Sequence, residues 1–250
     1  MTLGLGCGFH ARPHGDMGGD GWSPSRIDDL YAWYDAADPA TILHDEGAVT
    51  AWNDKSGNGH HAVQTVPADR PLTGARSLGG RNTVYFQGDS QQLFLPAGMS
   101  GIVQGDSTLV TVFVPDTPSL WPFCFLAGGG RRYGLELHTA NGLRFWSRDE
   151  TDFIPCIWDS SKGYIGVNRT SGNAITGFFE GASIAGTNSE GAWATLPSVR
   201  LMGGFNGTSA YFHGRLAEII LYERALSVAE INRIGAYLSR KWGAGWLPVL

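Results

Sequence analysis

The residues of this 250-residue chain best suited to chemistry are tryptophans set in turn-rich segments. Trp121, Trp146, Trp158 and Trp193 lie in or beside Gly-, Pro- and Ser-rich connections rather than in the middle of apolar runs. A flat apolar ring with Asn, Asp or Arg nearby suits sugar recognition, because the ring stacks on a sugar face while polar groups take its hydroxyls. Trp121, Trp158 and Trp193 are the carbohydrate-binding candidates on this ground. Each ring taken singly also suits a core or a subunit interface. Other chemistry has less to stand on. His10 and His14 are four apart with no helical pattern to align them, and His60-His61, read as part of a strand, point to opposite faces. Cys7, Cys124 and Cys156 are odd in number and lack metal spacing, which fits a reducing cytoplasm. Asn53-Asp-Lys-Ser-Gly-Asn-Gly59 is dense in residues that bond their own backbone or accept positive φ. A phosphate cradle would need a helix directly after it and a Lys-Ser/Thr pair at its end, so this reads as a structural turn. No Ser/His/Asp order or metal-ligand cluster stands out, and neither metal nor cofactor is expected.

The elements that must position these rings are strands. Thr108–Pro115 reads as a buried strand ended by proline. Leu216–Tyr222 is apolar on both alternating faces except at Glu218, as suits a strand covered on both sides. A half-buried carboxylate must be paired, so Glu218 is expected to meet backbone groups or an arginine at the strand's edge. Ile27–Asp35 and Val49–Trp52 also read as strands, and Val84–Gly88 with Gln92–Leu95 as a hairpin-like pair about Gly88-Asp89-Ser90. Six further segments, from Phe123–Ala127 to Val199–Gly203, are each bounded by Gly, Asn or Pro. At least ten short strands without a fixed-period repeat predict a β-sandwich or jelly roll. After Tyr222 the period changes. Ser227 and Glu230 form a capping box, Leu226 and Ile231 a hydrophobic staple, and Ile231, Ile234, Leu238 and Trp242 one apolar stripe. Lys241 suits the negative end of the helix dipole and Gly243 stops the helix. One helix, Ser227–Trp242, is expected to pack on the sheet that holds Leu216–Tyr222.

Composition narrows the function classes. Charged residues make up 16% of the chain, and the net charge of −5 comes without a basic run, so nucleic acid is a poor partner. No apolar stretch is long enough to span a bilayer, and no membrane insertion is expected. Met1–Trp22 is glycine-rich, has no basic n-region and reads as an arm rather than a secretory signal. Leu3, Leu5, Cys7 and Phe9 alternate with glycine or polar residues there, so an extended arm would offer one apolar edge to a partner.

An ordered set of segments then carries a resemblance. Leu30-Tyr-Ala-Trp-Tyr-Asp35, Trp52-Asn-Asp-Lys-Ser-Gly-Asn-Gly-His-His-Ala62, Arg70-Pro71 and Val84-Tyr-Phe-Gln-Gly88 begin it. Phe212-His-Gly-Arg-Leu-Ala-Glu-Ile-Ile-Leu-Tyr222, Leu226-Ser-x-x-Glu230 and Tyr237-Leu-x-x-Lys-Trp-Gly243 complete it. Together they resemble the laminin-G-like jelly rolls of the concanavalin A-like lectin/glucanase superfamily. The resemblance implies an all-β fold: a two-sheet antiparallel jelly-roll sandwich over residues 23–250, one C-terminal α-helix on a sheet, and an assembly arm at 1–22. Function does not follow from it, because that superfamily hosts lectins, hydrolases and adhesion modules. Its glucanases carry a strand-borne Glu-x-Asp-x-(x)-Glu that puts acid, helper and nucleophile on one face. The nearest match here, Glu150-Thr-Asp152, is followed by Phe153-Ile154-Pro155 without the third acid, so no enzyme is expected. Related folds also use calcium; near Asp149–Asp152 no ligand set is visible. Domains of this kind with a short Gly-Leu leader are familiar in bacteriophage virions. The expectation is a non-enzymatic structural protein on the virion surface, tail-associated or capsid-decorating, made in the host cytoplasm. It would pair with other virion subunits as a homo-oligomer, with binding of host-surface polysaccharide as an added role. The alternative is a lectin-type adhesion module, and a glycoside hydrolase of the glucanase branch stands third.

Overall fold

The run His213–Tyr222 is buried without a break from Leu216 onward, so both its faces must be covered and both its edges paired. One edge takes Ser107–Pro115, in register from Gly214↔Pro115 to Tyr222↔Thr108. The other takes Arg81–Gln87 along its first half and Leu30–Asp35 along its second. This strand is the middle of the molecule. The computed structural model describes residues 21–96, 99, 102, 105–116, 124–128, 131–138, 142–147, 149–188, 199–201 and 211–250.

In chain order the strands are β1 (Leu30–Asp35), β2 (Ile42–Asp45), β3 (Ala48–Trp52), β4 (Ala62–Val63), β5 (Leu72–Leu78) and β6 (Arg81–Gln87). Next come β7 (Leu93–Leu95), β8 (Ser107–Pro115), β9 (Cys124–Gly128), β10 (Arg131–His138), β11 (Gly142–Ser147) and β12 (Asp149–Pro155). The last are β13 (Tyr164–Ser171), β14 (Ala174–Phe179), β15 (Ala182–Thr187), β16 (Val199–Leu201) and β17 (His213–Tyr222). The large sheet runs β15-β14-β13-β8-β17-β6-β5-β3-β4-β7-β16, with β1 beside β17 and β2 beside β3; the small one runs β12-β11-β10-β9. Every recorded pairing is antiparallel, as expected for a two-sheet sandwich. The small sheet packs on the β8–β13–β14 end of the large one. Gly177 lets it come that close, since a Cβ there would sit 2.0 Å from the Phe145 ring. Tyr133 Oη donates to Ser107 Oγ at 2.8 Å and Asn168 Nδ2 to the Trp146 carbonyl at 2.6 Å, so hydrogen bonds as well as apolar contacts join the layers.

The opposite face of the large sheet carries α1 (Val228–Trp242), as the apolar stripe predicts. Both bonds of the capping box form, the helix ends in a left-handed Gly243, and Ile231, Ile234, Leu238 and Trp242 are fully buried. The last turn abuts the hairpin turn Gly79-Gly80, whose two positive φ values join Leu78 to Arg81 in two residues. A Cβ on Gly79 would lie 2.5 Å from the Trp242 carbonyl oxygen, so only glycine fits there. Trp22 is buried too, edge-on to Tyr237 of the helix at 5.1 Å.

Three local expectations are corrected. Glu218 is not at an edge and meets no arginine. It is fully buried, and its carboxylate accepts from Trp33 Nε1 at 2.7 Å, Trp242 Nε1 at 2.6 Å and Lys241 Nζ at 2.6 Å. The helix brings Lys241 over the middle of the strand, which sequence order alone does not reveal. Secondly, Val84–Gly88 and Gln92–Leu95 do not pair. Both edges of β6 are occupied, by β5 and β17, so β7 pairs with β4 and β16 instead. Thirdly, His60 and His61 lie outside any strand: His60 stacks on Tyr31 at 4.3 Å and His61 Nδ1 accepts the Asp54 amide at 3.1 Å. The neighbouring turn is structural as expected, with the buried Asp54 carboxylate accepting from the amides of Trp33, Ser56 and His60.

Two stability outcomes follow from these contacts. Glu218→Ala leaves two indole donors without an acceptor and the half-buried Lys241 ammonium with Asp35 as its remaining carboxylate, and chemical denaturation is expected to show a loss of about 3–5 kcal/mol; a loss below about 1 kcal/mol would mean the site is hydrated. Glu230 is held down to about 2 by the Arg224 guanidinium and the Ser227 groups. A depressed carboxylate stabilises the fold above its unfolded value and loses that contribution as pH falls through its folded value. Melting curves of Glu230→Gln should therefore lie below the parent at pH 7 and converge with it as the pH drops from about 4.5 toward 2.

Candidate functional site

β17 opens His213-Gly214-Arg215, and the pleat sends His213 and Arg215 to one face with Gly214 buried between them. Leu216 pairs with Phe113 and Glu218 with Val112, so Ala217 is an extra residue. This bulge keeps Arg215 and Glu218 on the same face, the one that carries the helix. Tyr85 is the cross-strand partner of Arg215 and stands beside it. With Arg76 of β5, Asp116 just past β8 and Ser160 from the loop after β12, these residues line a cleft of about 500 Å³.

Hydrogen bonds hold the walls. Arg215 pairs with Asp116 at 3.2 Å, donates through Nη1 to the Ser77 carbonyl at 3.1 Å and reaches the Ser160 carbonyl through Nη2. The Asp116 amide donates to the His213 carbonyl at 3.0 Å, and Tyr85 Oη lies 3.1 Å from His213 Nε2. The guanidinium of Arg76 sits 5.2 Å from the centroid of the Tyr85 ring. Residues 74–76 bulge out of β5 opposite Thr83, and Asn82 clasps that bulge by accepting from the Gly74 amide at 2.8 Å. Tyr85 and His213 are half-buried, so ring surface and donors both face the cleft. The arrangement can stack a flat apolar face and satisfy hydroxyls around it. Among the described lining residues Asp116 is the one carboxylate, and Arg215 engages it.

A second hollow of about 380 Å³ is lined by Cys156, Ile157, Lys162, Gly163, Tyr164, Glu180, Gly243 and Gly245. Burial and then Glu180 push the Cys156 thiol up to about 11, so it is protonated at neutral pH and a poor nucleophile.

Of the residues expected from the sequence, the described ones do not line this cleft. Trp158 is partly buried and packs among Phe113, Tyr164 and Phe179 at 5.1–6.1 Å between ring centres. Trp146 donates through Nε1 to Glu136 Oε2 at 2.5 Å, within the small sheet. Trp121, Trp193 and the arm residues Leu3, Leu5 and Phe9 lie outside the described residues. Asp152 is exposed on β12, while the side chains of Asp149 and Glu150 lie outside the described residues. Among the described residues there is no cluster of three or more His, Cys, Asp or Glu that could hold a metal. The cleft residues had one signal in the sequence. Thr83-Val-Tyr-Phe-Gln87 and His213-Gly-Arg215 each place polar or amphipathic groups at every second position next to buried ones.

No family model and no curated protein matches this sequence. Solved structures do share the fold. Trypanosoma rangeli sialidase in complex with sialic acid is similar with a TM-score of 0.59 and 16% identity, over 88% of this chain and 34% of the sialidase. Domain 4 of an extracellular arabinanase from Geobacillus stearothermophilus, in complex with arabinotriose, is similar with a TM-score of 0.53 and 13% identity, over 81% of this chain and 96% of that domain. These likenesses show the fold alone, a β-sandwich. This chain spans about a third of the sialidase's length.

Proposed function

We propose that this chain is a non-catalytic carbohydrate-binding module that holds a sugar in the Tyr85 cleft. The observation that carries the proposal is the half-buried Tyr85 ring set among hydrogen-bonded polar groups, His213, Arg215 and Asp116, on strands paired along both edges. A ring prepared in this way binds without the ordering cost of a mobile loop. The likeness to an arabinanase domain solved with arabinotriose supports the reading at the level of fold. The engagement of Asp116, the one carboxylate among the described lining residues, by Arg215 supports the non-catalytic half. Calorimetric titration of the full chain against a panel of oligosaccharides tests it. Tyr85→Ala is expected to weaken the bound sugar at least about tenfold, roughly 1.4 kcal/mol, while the melting temperature barely moves. Unchanged affinity in that variant would take the sugar out of this cleft. Release of new reducing ends, abolished by Glu150→Gln, would restore the hydrolase alternative.

The finer part of the proposal is the setting, a virion surface with residues 1–22 as an assembly arm. It is supported by the sequence resemblance and by the alternating apolar edge of Leu3, Leu5 and Phe9; neither solved structure named above is a virion protein. Deleting residues 1–20 spares the buried Trp22, so a folded chain that no longer joins its particle is the expected result. Normal incorporation would move docking to the sandwich faces.

A further inference from the structure

Arg76 is a charged side chain in the cleft whose charge no described residue answers. It is exposed, and among the described residues its guanidinium has no carboxylate partner and no hydrogen bond, only the face of Tyr85. The charge of the other guanidinium, Arg215, is answered by contrast: Asp116 pairs with it, and the Ser77 and Ser160 carbonyls accept from Nη1 and Nη2, while its buried Nε has no partner among the described residues. Among the described lining residues two guanidiniums stand against one carboxylate, and the uncompensated positive charge belongs to Arg76. Its position is built. A flat strand would pair one residue with Thr83, whereas β5 places three there, Gly74, Ala75 and Arg76. The bulge is pinned at both ends, by Asn82 on the Gly74 amide and by Thr83 Oγ1, which donates to the Arg76 carbonyl at 2.9 Å. Bulges re-aim side chains, and this one turns Arg76 over the ring instead of out along the strand.

We infer that the cleft takes an anionic sugar residue, its ring against Tyr85 and its carboxylate or sulfate on Arg76. This rests on the sugar-binding reading above and names the ligand class. A planar guanidinium offers two parallel N–H donors to the two oxygens of such a group, with a geometry that ammonium lacks. A stacked ring beneath the guanidinium limits the rotamers that must be frozen on binding, because the side chain is already held over the site. Tyr85 Oη and His213 Nε2, 3.1 Å apart, stand at the same cleft.

The test is calorimetric titration of the full chain with matched trisaccharides: uronate oligomers of gluco, galacto and manno configuration, their carboxyl-reduced neutral twins, and sulfated forms of those twins. At low salt the parent is expected to bind the best anionic form at least about tenfold more tightly than its neutral twin, and the ratio should narrow at 0.5 M salt as screening sets in. In Arg76→Gln the ratio should fall close to one, and Arg76→Lys should recover only part of it. Whichever of the uronate and sulfated forms is preferred identifies the source of the charge. Equal binding of anionic and neutral forms by the parent overturns this inference and leaves the sugar-binding reading standing. Binding of none of these sugars overturns both. A preference that survives in Arg76→Gln, with the melting temperature unchanged, shows that the anion lies elsewhere and overturns the assignment to Arg76.

Discussion

A carboxylate with no water to solvate it governs how this sandwich is assembled. Glu218 lies at the centre of β17, and burial, helped by the nearby Asp35, raises its pKa above the ordinary carboxylate range in spite of the Lys241 ammonium. Such a group is tolerable only if every oxygen is met by a donor. Three donors come from two directions: Trp33 from β1 at one side, and Lys241 with Trp242 from the last turn of α1 above. Lys241 bridges on to Asp35 at 2.7 Å, and Asp35 in turn holds Lys55 at 3.0 Å, which stands 4.6 Å from the Trp33 ring centre. Strand, helix and the first long turn are thereby set against one another through one point. Apolar packing alone would let α1 slide or rotate along the sheet at little cost. The buried charge does not, since a displacement of one helical residue would leave it unmatched.

That restraint also decides where the cleft can be. With Lys241 held over Glu218, the helix ends at Gly243 against the Gly79 turn, and its cover does not reach the start of β17. The bulge at Ala217 puts Arg215 and His213 on the same face as Glu218, so one strand carries a dry, charged anchor in its second half and a wet, polar wall in its first. Tyr85 joins that wall because β6 pairs only with the first half of β17. The cleft is therefore a by-product of the core's own geometry, and it inherits the core's rigidity.

The legible parts of the sequence were those where burial writes a period. β8 and β17 are buried almost throughout and α1 carries its stripe, its cap and its stop in consecutive residues, so all three follow from pattern. β5 shows little burial before Leu78 and β15 has no buried residue at all, so neither displays an alternation to find. The Gly79-Gly80 and Glu180-Gly181 pairs, each with two positive φ values, were the available marks of those hairpins. Partners across long separations were illegible for a different reason. Lys241 has the right place to answer a helix dipole, and nothing local says that it lies 2.6 Å from a carboxylate twenty-three residues earlier.

The placement of Trp158 was illegible for a related reason. A ring in a turn-rich segment is free to face solvent or to fold back, and local composition does not distinguish the two. Trp158 folds back, onto Phe113, Tyr164 and Phe179, because the connection after β12 returns across the end of the sandwich before β13 begins. A ring on a strand has no such freedom. The pleat fixes its side, and in Thr83-Val84-Tyr85-Phe86-Gln87 the buried Val84 and Phe86 oblige Tyr85 to face outward. An aromatic residue that the pleat sends away from the core, paired across the ladder with an arginine likewise turned outward, is a stronger mark of a binding surface than an aromatic residue in a loop. Its exposure is forced by its neighbours' burial, and some other contact must account for it.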